Sequence, residues 1–322
     1  MGRLGSLDCR LRNVPARERQ TFPLVPRRRR VVGLPFGELP SRRRGAGGDV
    51  VGTRPYEAGD PVSTIDWFAT ARLSAASGHD EFVVRDRSAD EAPRVVVVAD
   101  RRPAMGIFPS SLPWLEKPRA AAEAAAAIAT SAAAARSDVA SLDLAGDAGP
   151  YWLPPGRRDR VWLIGERLGD ATPFDAPEDN LRQAFTFLGG QRGNLPPGTF
   201  VFVLSDFIVS PPAVAWVEAV AHGWDVVPVV IRDPVWEQSF PPVGGVGLPI
   251  MDPDGGHVAL VRLTGREASR RRRENEERQR RLLSELAALG LDPVEIGTSD
   301  PDEIDRAFIA WAEQRKQRRW AR

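Results

Sequence analysis

Long unbroken apolar runs, each ending in an acid or a turn, are the dominant pattern of the chain from residue 94 onward. The three strongest runs are RVVVVAD at 94–100, TFVFVLSDF at 199–207 and WDVVPVVIRDP at 224–234. Runs of this length that are rich in β-branched residues are typical of strands buried on both faces of a parallel sheet. Shorter pieces at 139–146 and in LDPVEIG indicate two more strands, and residues 248–263 predict a β-hairpin.

Helical spacing of apolar residues alternates with these strands. The predicted helices cover about residues 116–135, 179–189, 213–222, 266–289 and 302–320. Asp179 is a predicted N-cap, and Glu276 and Glu277 precede Arg280 and Arg281 in the order that favours ion pairs along a helix. The alternation predicts an α/β fold over residues 91–322, with a doubly wound, mostly parallel sheet.

The part before residue 91 has a different pattern. Residues 1–30 are basic and lack periodicity, which predicts a disordered tail. Residues 31–90 are rich in Gly, Pro, Arg and Asp and predict a small, irregular module that contains β-structure. Within it, Val83 and Val84 stand between charged residues and predict a short exposed strand.

Composition excludes several kinds of site. Among 322 residues, 44 are Lys or Arg and 43 are Asp or Glu, so overall charge does not indicate a nucleic-acid partner. The Arg clusters at 27–30, 42–44 and 270–273 are interpreted as solvated charge runs. Cys9 is the single cysteine, which excludes an intrachain disulfide or a cysteine-based metal site.

No apolar run is long enough to span a bilayer, and the N-terminus shows no secretory signal. We therefore expect a cytoplasmic protein, with peripheral membrane attachment as the alternative.

Two acids at predicted strand ends are the main chemical signal. Asp100 and Asp206 each follow a buried strand, and ligands of parallel sheets bind at the carboxyl ends of the strands. Paired carboxylates there suit Mg²⁺, general acid–base work or a structural role. A phosphotransferase of the haloacid-dehalogenase type needs a second acid two residues after the first, where this chain has Arg102. A glycine-rich dinucleotide turn, a G-x-S-x-G elbow and a P-loop are also missing from the sequence.

The two acids resemble those of von Willebrand factor A-type domains. Such domains bind metal with D-x-S-x-S after the first strand, a Thr and a second Asp. Here Asp100, Asp206 and Thr172 fit the pattern, whereas Arg102 and Ala104 replace the serines. We expect weak or absent binding of Mg²⁺ or Mn²⁺, with the Arg102 guanidinium in place of the metal. The alternative is that both acids only bind neighbouring backbone N–H groups.

The segment RPYEAGDPVSTIDWFATAR at 54–72, with the later LSDF and IRDP segments, resembles the domain-of-unknown-function family number 58, which is related to von Willebrand A domains. The matching positions are Arg54, Tyr56, Gly59, Asp60, Ile65, Asp66, Trp67, Ala71 and Arg72. We expect Arg54 and Arg72 to pair with Asp60 and Asp66. We also expect Trp67 and Ile65 to lock the segment onto the sheet, and some of the arginines to present a face for a partner.

The resemblance implies a non-catalytic adaptor that works with a MoxR-type AAA+ ATPase. The alternatives are a metal-dependent ligand-binding domain and a metal-dependent phosphoesterase, although the segment lacks the nucleophile and base of an enzyme. The helix at 266–289 is either a solvated cover of the sheet or a docking surface for an acidic face of the ATPase. Trp311 and Trp320 are candidate exposed anchors for an interface.

Overall fold

The computed structural model describes eleven stretches of the chain. They are residues 19–27, 34–44, 50–57, 60–79, 81–106, 115–146, 149–157, 159–169, 172–245, 247–251 and 258–320. The strands are β1 (Leu34–Arg44), β2 (Val50–Pro55), β3 (Val83–Ala92), β4 (Val95–Ala99), β5 (Val139–Asp143), β6 (Tyr151–Gly156), β7 (Phe200–Ser205), β8 (Asp225–Ile231), β9 (Gly247–Met251), β10 (Val258–Arg262) and β11 (Val294–Ile296). The helices are α1 (Trp67–Ser77), α2 (Pro103–Gly106), α3 (Lys117–Ala134), α4 (Asp159–Leu168), α5 (Asn180–Gly190), α6 (Ala213–Ala221), α7 (Gly265–Ala288) and α8 (Pro301–Trp320).

A six-stranded sheet forms the centre of the fold. Its strand order is β11-β8-β7-β4-β5-β6, and every neighbouring pair is parallel except β5 and β6. The prediction of an α/β fold with a mostly parallel central sheet is confirmed. The side chains of β4 alternate between two cores, with Val95 and Val97 facing one and Val96 and Val98 facing the other.

The two cores explain why helices lie on both faces of this sheet. One core takes its side chains from α3, α4 and α8, and the other takes them from α5, α6 and α7. On α3 most of the buried residues are alanines, among them Ala120, Ala124 and Ala127. Their small side chains let the helix lie close to the strands.

Sequence reasoning missed one strand and one helix at the sheet edge. Strand β6 contains Pro154 and Pro155, which argue against a central strand but are tolerated at an edge. Helix α4 contains Gly165, which has a low helix propensity. The β9–β10 hairpin agrees with the prediction, while its turn at 254–256 lies outside the described residues.

The part before β4 contains a three-stranded antiparallel sheet, with order β1-β3-β2, and helix α1. The expectation of a short exposed strand at Val83 and Val84 is wrong. Both residues begin the ten-residue strand β3, and both side chains are buried. The charged residues that follow Val84 suggested that the strand ends there, whereas they belong to the same strand.

The prediction of a disordered tail over 1–30 is wrong for residues 19–27. Phe22, Leu24 and Val25 are buried in the core that contains α3 and α8. Phe22 stacks on Phe308 with ring centroids 4.7 Å apart, and Trp311 meets its ring edge-on. We call residues 19–27 the N-terminal strap. It lacks periodicity because its apolar residues fill gaps between elements rather than one face of an element.

Trp311 is not the exposed anchor that the sequence suggested. It is buried, and its Nε1 donates to the Asp292 carbonyl oxygen at 3.1 Å. The side chain of Trp320 lies outside the described part. Among the four residues of α7 that were predicted to pair, Glu277 pairs with Arg280, three residues away, whereas Glu276 accepts from Ser239.

Over the described stretches, no helix combines the length and the apolar character that crossing a membrane requires.

Replacing Phe22 with alanine tests whether the strap is part of the core. We expect Phe22→Ala to lower the free energy of unfolding by about 3–5 kcal/mol, because a buried ring is lost and a cavity remains. Urea unfolding followed by circular dichroism measures the change. The control is Phe68→Ala, since that ring is 82% exposed; its effect should stay within about 0.5 kcal/mol. Equal effects of the two substitutions would show that the strap is not docked.

Candidate functional site

The carboxyl edge of the central sheet brings the two predicted acids together. Strands β4 and β7 are neighbours, and the Asp100 backbone N–H donates to the Leu204 carbonyl oxygen at 2.9 Å. Both strands therefore end at the same level, with Asp100 and Asp206 just beyond them. The two carboxylates are almost completely buried, at 2% and 0% exposure. Burial of charge on this scale requires compensation from nearby groups.

The Arg102 guanidinium supplies much of that compensation. Its Nε lies 3.0 Å from each carboxylate oxygen of Asp100, and its Nη2 also donates to Oδ2. The same Nη2 lies 3.5 Å from Asp206 Oδ1, so one guanidinium contacts both acids. Its Nη1 donates to the Val209 carbonyl oxygen at 3.0 Å. Arg102 therefore bridges the acids and also holds the loop that follows β7.

Lys117 is a second cation at this edge, which sequence reasoning did not assign. It opens α3, and its Nζ lies 3.0 Å from Asp206 Oδ2 and in contact with Glu237 Oε1. It also donates to the Ala104 carbonyl oxygen at 3.3 Å. The available signal was the rarity of lysine, since only Lys117 and Lys316 occur in the chain.

Neutral donors complete the coordination of Asp100. Asn180 Nδ2 donates at 2.9 Å, Ser205 Oγ at 2.6 Å, and the Arg102 backbone N–H at 3.0 Å. Ser205 in turn accepts from the Phe207 backbone N–H at 2.9 Å. The Asp100 carboxylate is thus surrounded by donors of this chain.

These contacts decide the ionisation of the buried groups. Burial on its own would raise the pKa of Asp100, but the hydrogen bonds and charge of Arg102, with the Ser205 hydroxyl, outweigh it and lower that pKa. Burial also opposes the Lys117 cation, yet Asp206 and Glu237 raise its pKa. For Glu237, burial raises the pKa and Lys117 offsets this only in part. Asp100, Arg102 and Lys117 are therefore charged at neutral pH.

The IRDP segment, in which β8 ends at Ile231, organises the backbone around the acids. Arg232 is buried, and its guanidinium donates to the backbone carbonyl oxygens of Asp206 and Phe207. Phe207 has a φ of 48°, a strained value for a residue other than glycine. Asp233 accepts backbone N–H groups from Val235 and Trp236, and one from Leu115 ahead of α3. The segment fixes the loop after β7 and the start of α3.

The residues present do not fit a divalent cation. The two positions for hydroxyl ligands are Arg102 and Ala104, and Arg102 fills the space between the acids. Thr172 is buried, but its hydroxyl donates to the Arg167 carbonyl oxygen at 2.6 Å. Within the described residues, no hydrogen bond joins it to Asp100 or Asp206. Mg²⁺ would need several free oxygen ligands in octahedral arrangement.

The segment at 54–72 is held by two ion pairs, of which one was predicted correctly. Arg54 donates to both carboxylate oxygens of Asp60, at 2.7 and 2.6 Å. With the Glu57 backbone N–H, it lowers the pKa of Asp60 to about 2. The prediction that Arg72 pairs with Asp66 is wrong: Asp66 pairs with Arg85 at 3.0 Å, and Arg72 is exposed. Gly59 lies outside the described residues.

Asp66 and Trp67 start helix α1, which the sequence did not predict. The Asp66 side chain accepts from the Phe68 and Ala69 backbone N–H groups, as an N-cap does. Ile65 forms an isolated antiparallel bridge with Val84, which ties the segment to β3. Trp67 does not lock the segment onto the sheet, because 59% of it is exposed. The anchoring contacts are those of Ile65 and Asp66.

Comparisons with known proteins identify a family. A sequence-family model described as "Protein of unknown function DUF58" matches residues 52–282 of this chain. No curated protein sequence matches the chain.

Two similar solved structures come from Bacteroides. One is an aerotolerance-related membrane protein of Bacteroides fragilis with multiple mutations to serines. It is 15% identical to this chain with a TM-score of 0.42, and the match covers 69% of this chain and 99% of that protein. The conserved hypothetical protein BatB of Bacteroides thetaiotaomicron is 14% identical with a TM-score of 0.40, covering 70% and 99%.

A double-mutant cycle tests whether Arg102 compensates the buried Asp100. We expect Arg102→Met to lower the free energy of unfolding by about 3–5 kcal/mol, because a buried carboxylate loses its cation. Asp100→Asn combined with Arg102→Met should cost less than the sum of the single changes. Urea unfolding measures all three, with the exposed Arg72→Met as a control. Additive effects of the two substitutions would contradict the pairing.

Proposed function

The chain belongs to the family described as protein of unknown function DUF58, and we propose that it is a non-catalytic protein-interaction module. In this module an ion-pair cluster, formed by Asp100, Arg102, Lys117 and Asp206, replaces a metal ion. The observation that carries this proposal is the position of Arg102, which contacts both acids at the carboxyl edge. Lys117 adds a second cation on Asp206. The cluster supplies from its own side chains the positive charge that a bound ion would otherwise bring.

The strand arrangement supports a relation to von Willebrand A-type domains. Asp100 and Asp206 follow adjacent parallel strands. In this they resemble the two acids of the metal site in those domains. The departures at Arg102 and Ala104 occur in the metal motif itself. A chain with this arrangement keeps the acids and provides a protein cation between them.

The polar groups of the cluster support a role without catalysis. Ser205 is the hydroxyl closest to a carboxylate, but it is fully buried and its hydrogen bonds to Asp100 and Phe207 are internal. A nucleophile needs access to a substrate and a base that can take its proton. The lowered pKa of Asp100 also makes it a weak base. The cluster therefore has a structural role and does not take part in catalytic turnover.

The surface above the cluster is suited to protein contact. Ile208 and Val209 follow β7 and are 43% and 40% exposed, and on α6 Val214 and Val217 are more than half exposed. A cavity of about 330 Å³ beside them is lined by Glu178, Asp179, Leu181, Arg182, Val209, Ser210, Pro211 and Pro212. Because Arg102 donates to the Val209 carbonyl oxygen, the ion-pair cluster sets the shape of this exposed loop.

The partner that we propose, from the family resemblance, is a MoxR-type AAA+ ATPase, and α7 is its candidate contact. This helix has eight arginines and five glutamates, and it packs on the sheet through Leu282 and Leu286. Its outer face is therefore basic and solvated. Such a face complements an acidic surface and speeds association with it.

Calorimetric titration of Mg²⁺ and Mn²⁺ tests the replacement of the metal. We expect the wild-type protein to give no heat beyond dilution up to about millimolar concentrations, because cations already occupy the site. Asp100→Ala and Asp206→Ala serve as controls for binding elsewhere. Binding that disappears in both variants would contradict the proposal and favour a metal-dependent ligand-binding domain.

A third variant tests what excludes the metal. Arg102→Ser, Ala104→Ser and Lys117→Met together restore the hydroxyl positions and remove both cations. If the cations exclude the metal, this variant should bind Mg²⁺ at about millimolar concentration while the wild type does not.

Association with a purified MoxR-type ATPase tests the adaptor role. We expect a complex that weakens as salt is raised, and we expect Arg273→Glu with Arg281→Glu to weaken it about tenfold or more. The matched control is Arg306→Glu, an equal change of charge per site on the exposed face of α8. Biolayer interferometry measures the affinities. No complex at low salt, or equal loss with the control, would contradict this contact.

A further inference from the structure

Three aromatic rings form an exposed cluster in the part of the chain before β4. Tyr56, Trp67 and Phe82 are 36%, 59% and 45% exposed. Phe82 meets the other two rings edge-to-face, with centroids 6.4 Å from Tyr56 and 6.2 Å from Trp67. We call these three residues the aromatic triad. It belongs neither to the two cores nor to the ion-pair cluster.

Backbone hydrogen bonds hold the triad in place. The Tyr56 N–H donates to the Phe82 carbonyl oxygen at 2.8 Å, and the Asp66 N–H donates to the Val83 carbonyl oxygen at 2.7 Å. The end of β2, the start of α1 and the start of β3 are therefore joined at this point. Thr70 adds a third link, because its hydroxyl accepts from the Val83 N–H at 3.0 Å. Because the backbone that carries the rings is fixed in this way, less freedom is lost when a ligand binds.

The charges beside the triad are acidic. Glu57 and Glu81 flank Tyr56 and Phe82 in sequence, and both are exposed. In the described part of the chain, neither carboxylate forms a hydrogen bond or an ion pair. The neighbouring Asp60 and Asp66 are already paired with Arg54 and Arg85. The surface thus combines open aromatic faces with two uncompensated negative charges.

We infer that the aromatic triad binds an arginine side chain of a partner protein. An aromatic face attracts a cation, and perpendicular rings can contact a cation from two directions. A guanidinium is planar, stacks on rings and is weakly hydrated, which suits it better than an ammonium group. Glu57 and Glu81 supply the complementary charge. A purely apolar partner would leave both carboxylates next to its surface, and an anionic membrane would be repelled by them.

This inference deepens the proposed interaction role and rests on it only in expecting a protein partner. Its test is separate from the metal and ATPase experiments, because no residue of the triad belongs to the ion-pair cluster or to α7. The site could therefore bind arginine even if the cluster also bound Mg²⁺.

The test is a calorimetric titration of the full chain with two synthetic peptides. One is an acetylated and amidated Gly-Ser peptide that carries three spaced arginines. The other carries citrulline, the neutral analogue of arginine, at the same positions. We expect the arginine peptide to bind about tenfold or more tightly than the citrulline peptide. Trp67→Leu and Phe82→Leu should each weaken arginine binding about fivefold.

Two further variants separate the triad from general surface effects. Phe68→Leu removes a neighbouring ring that is 82% exposed and does not belong to the triad. The affinity for the arginine peptide should therefore stay unchanged. Glu57→Gln with Glu81→Gln should weaken binding and reduce its dependence on salt. Thermal unfolding confirms that each variant is folded.

Several outcomes would overturn the inference. They are equal affinity for both peptides, no binding of either, or unchanged affinity in the folded Trp67→Leu and Phe82→Leu variants. Sedimentation of the protein alone provides the last check, because its own Arg clusters could fill the site in a second copy. Self-association that Trp67→Leu abolishes would overturn the assignment to a separate partner.

Discussion

The carboxyl edge of the sheet depends on one requirement: the negative charge that it buries must be balanced by cations from the same chain. Asp100 and Asp206 are almost completely shielded from solvent, where an unpaired carboxylate would lower the stability of the fold severely. Arg102 and Lys117 meet that requirement, and each of them contacts more than one group. Around them, the start of α3, the loop after β7 and the IRDP segment are tied into one arrangement. The surface above it keeps its shape because the charges beneath it are paired.

Sequence patterns predicted the parts of this edge that depend on residues close to one another along the chain. The β-branched runs place Asp100 and Asp206 at strand ends, and Arg102 is close enough along the chain for its pairing with Asp100 to be proposed. Lys117, Asn180 and Glu237 could not be assigned in the same way, since they come from three other segments of the chain. Lys117 and Asn180 contact the acids directly, and Glu237 pairs with Lys117. Their positions depend on how the helices pack, which periodicity along one segment does not define.

The errors before β4 have the same physical origin. Asp66 was expected to pair with Arg72, six residues further on, but Arg72 lies on helix α1 while Arg85 lies on the strand that pairs with the segment. Trp67 was expected to lock the segment onto the sheet, yet it is the first residue of a helix that is mostly exposed. The strap was overlooked because three apolar residues without a period give no signal.

The docking of the strap has a consequence for the order in which the chain can fold during its synthesis. Arg315 donates to the Val25 carbonyl oxygen across 290 residues, and Phe22 stacks on Phe308. The strap leaves the ribosome almost three hundred residues before α8, which completes its binding site. Phe22, Leu24 and Val25 therefore have no finished core to enter until α8 emerges. Until then these residues are available to chaperones or to wrong contacts, and the final core closes only after α8 has been released.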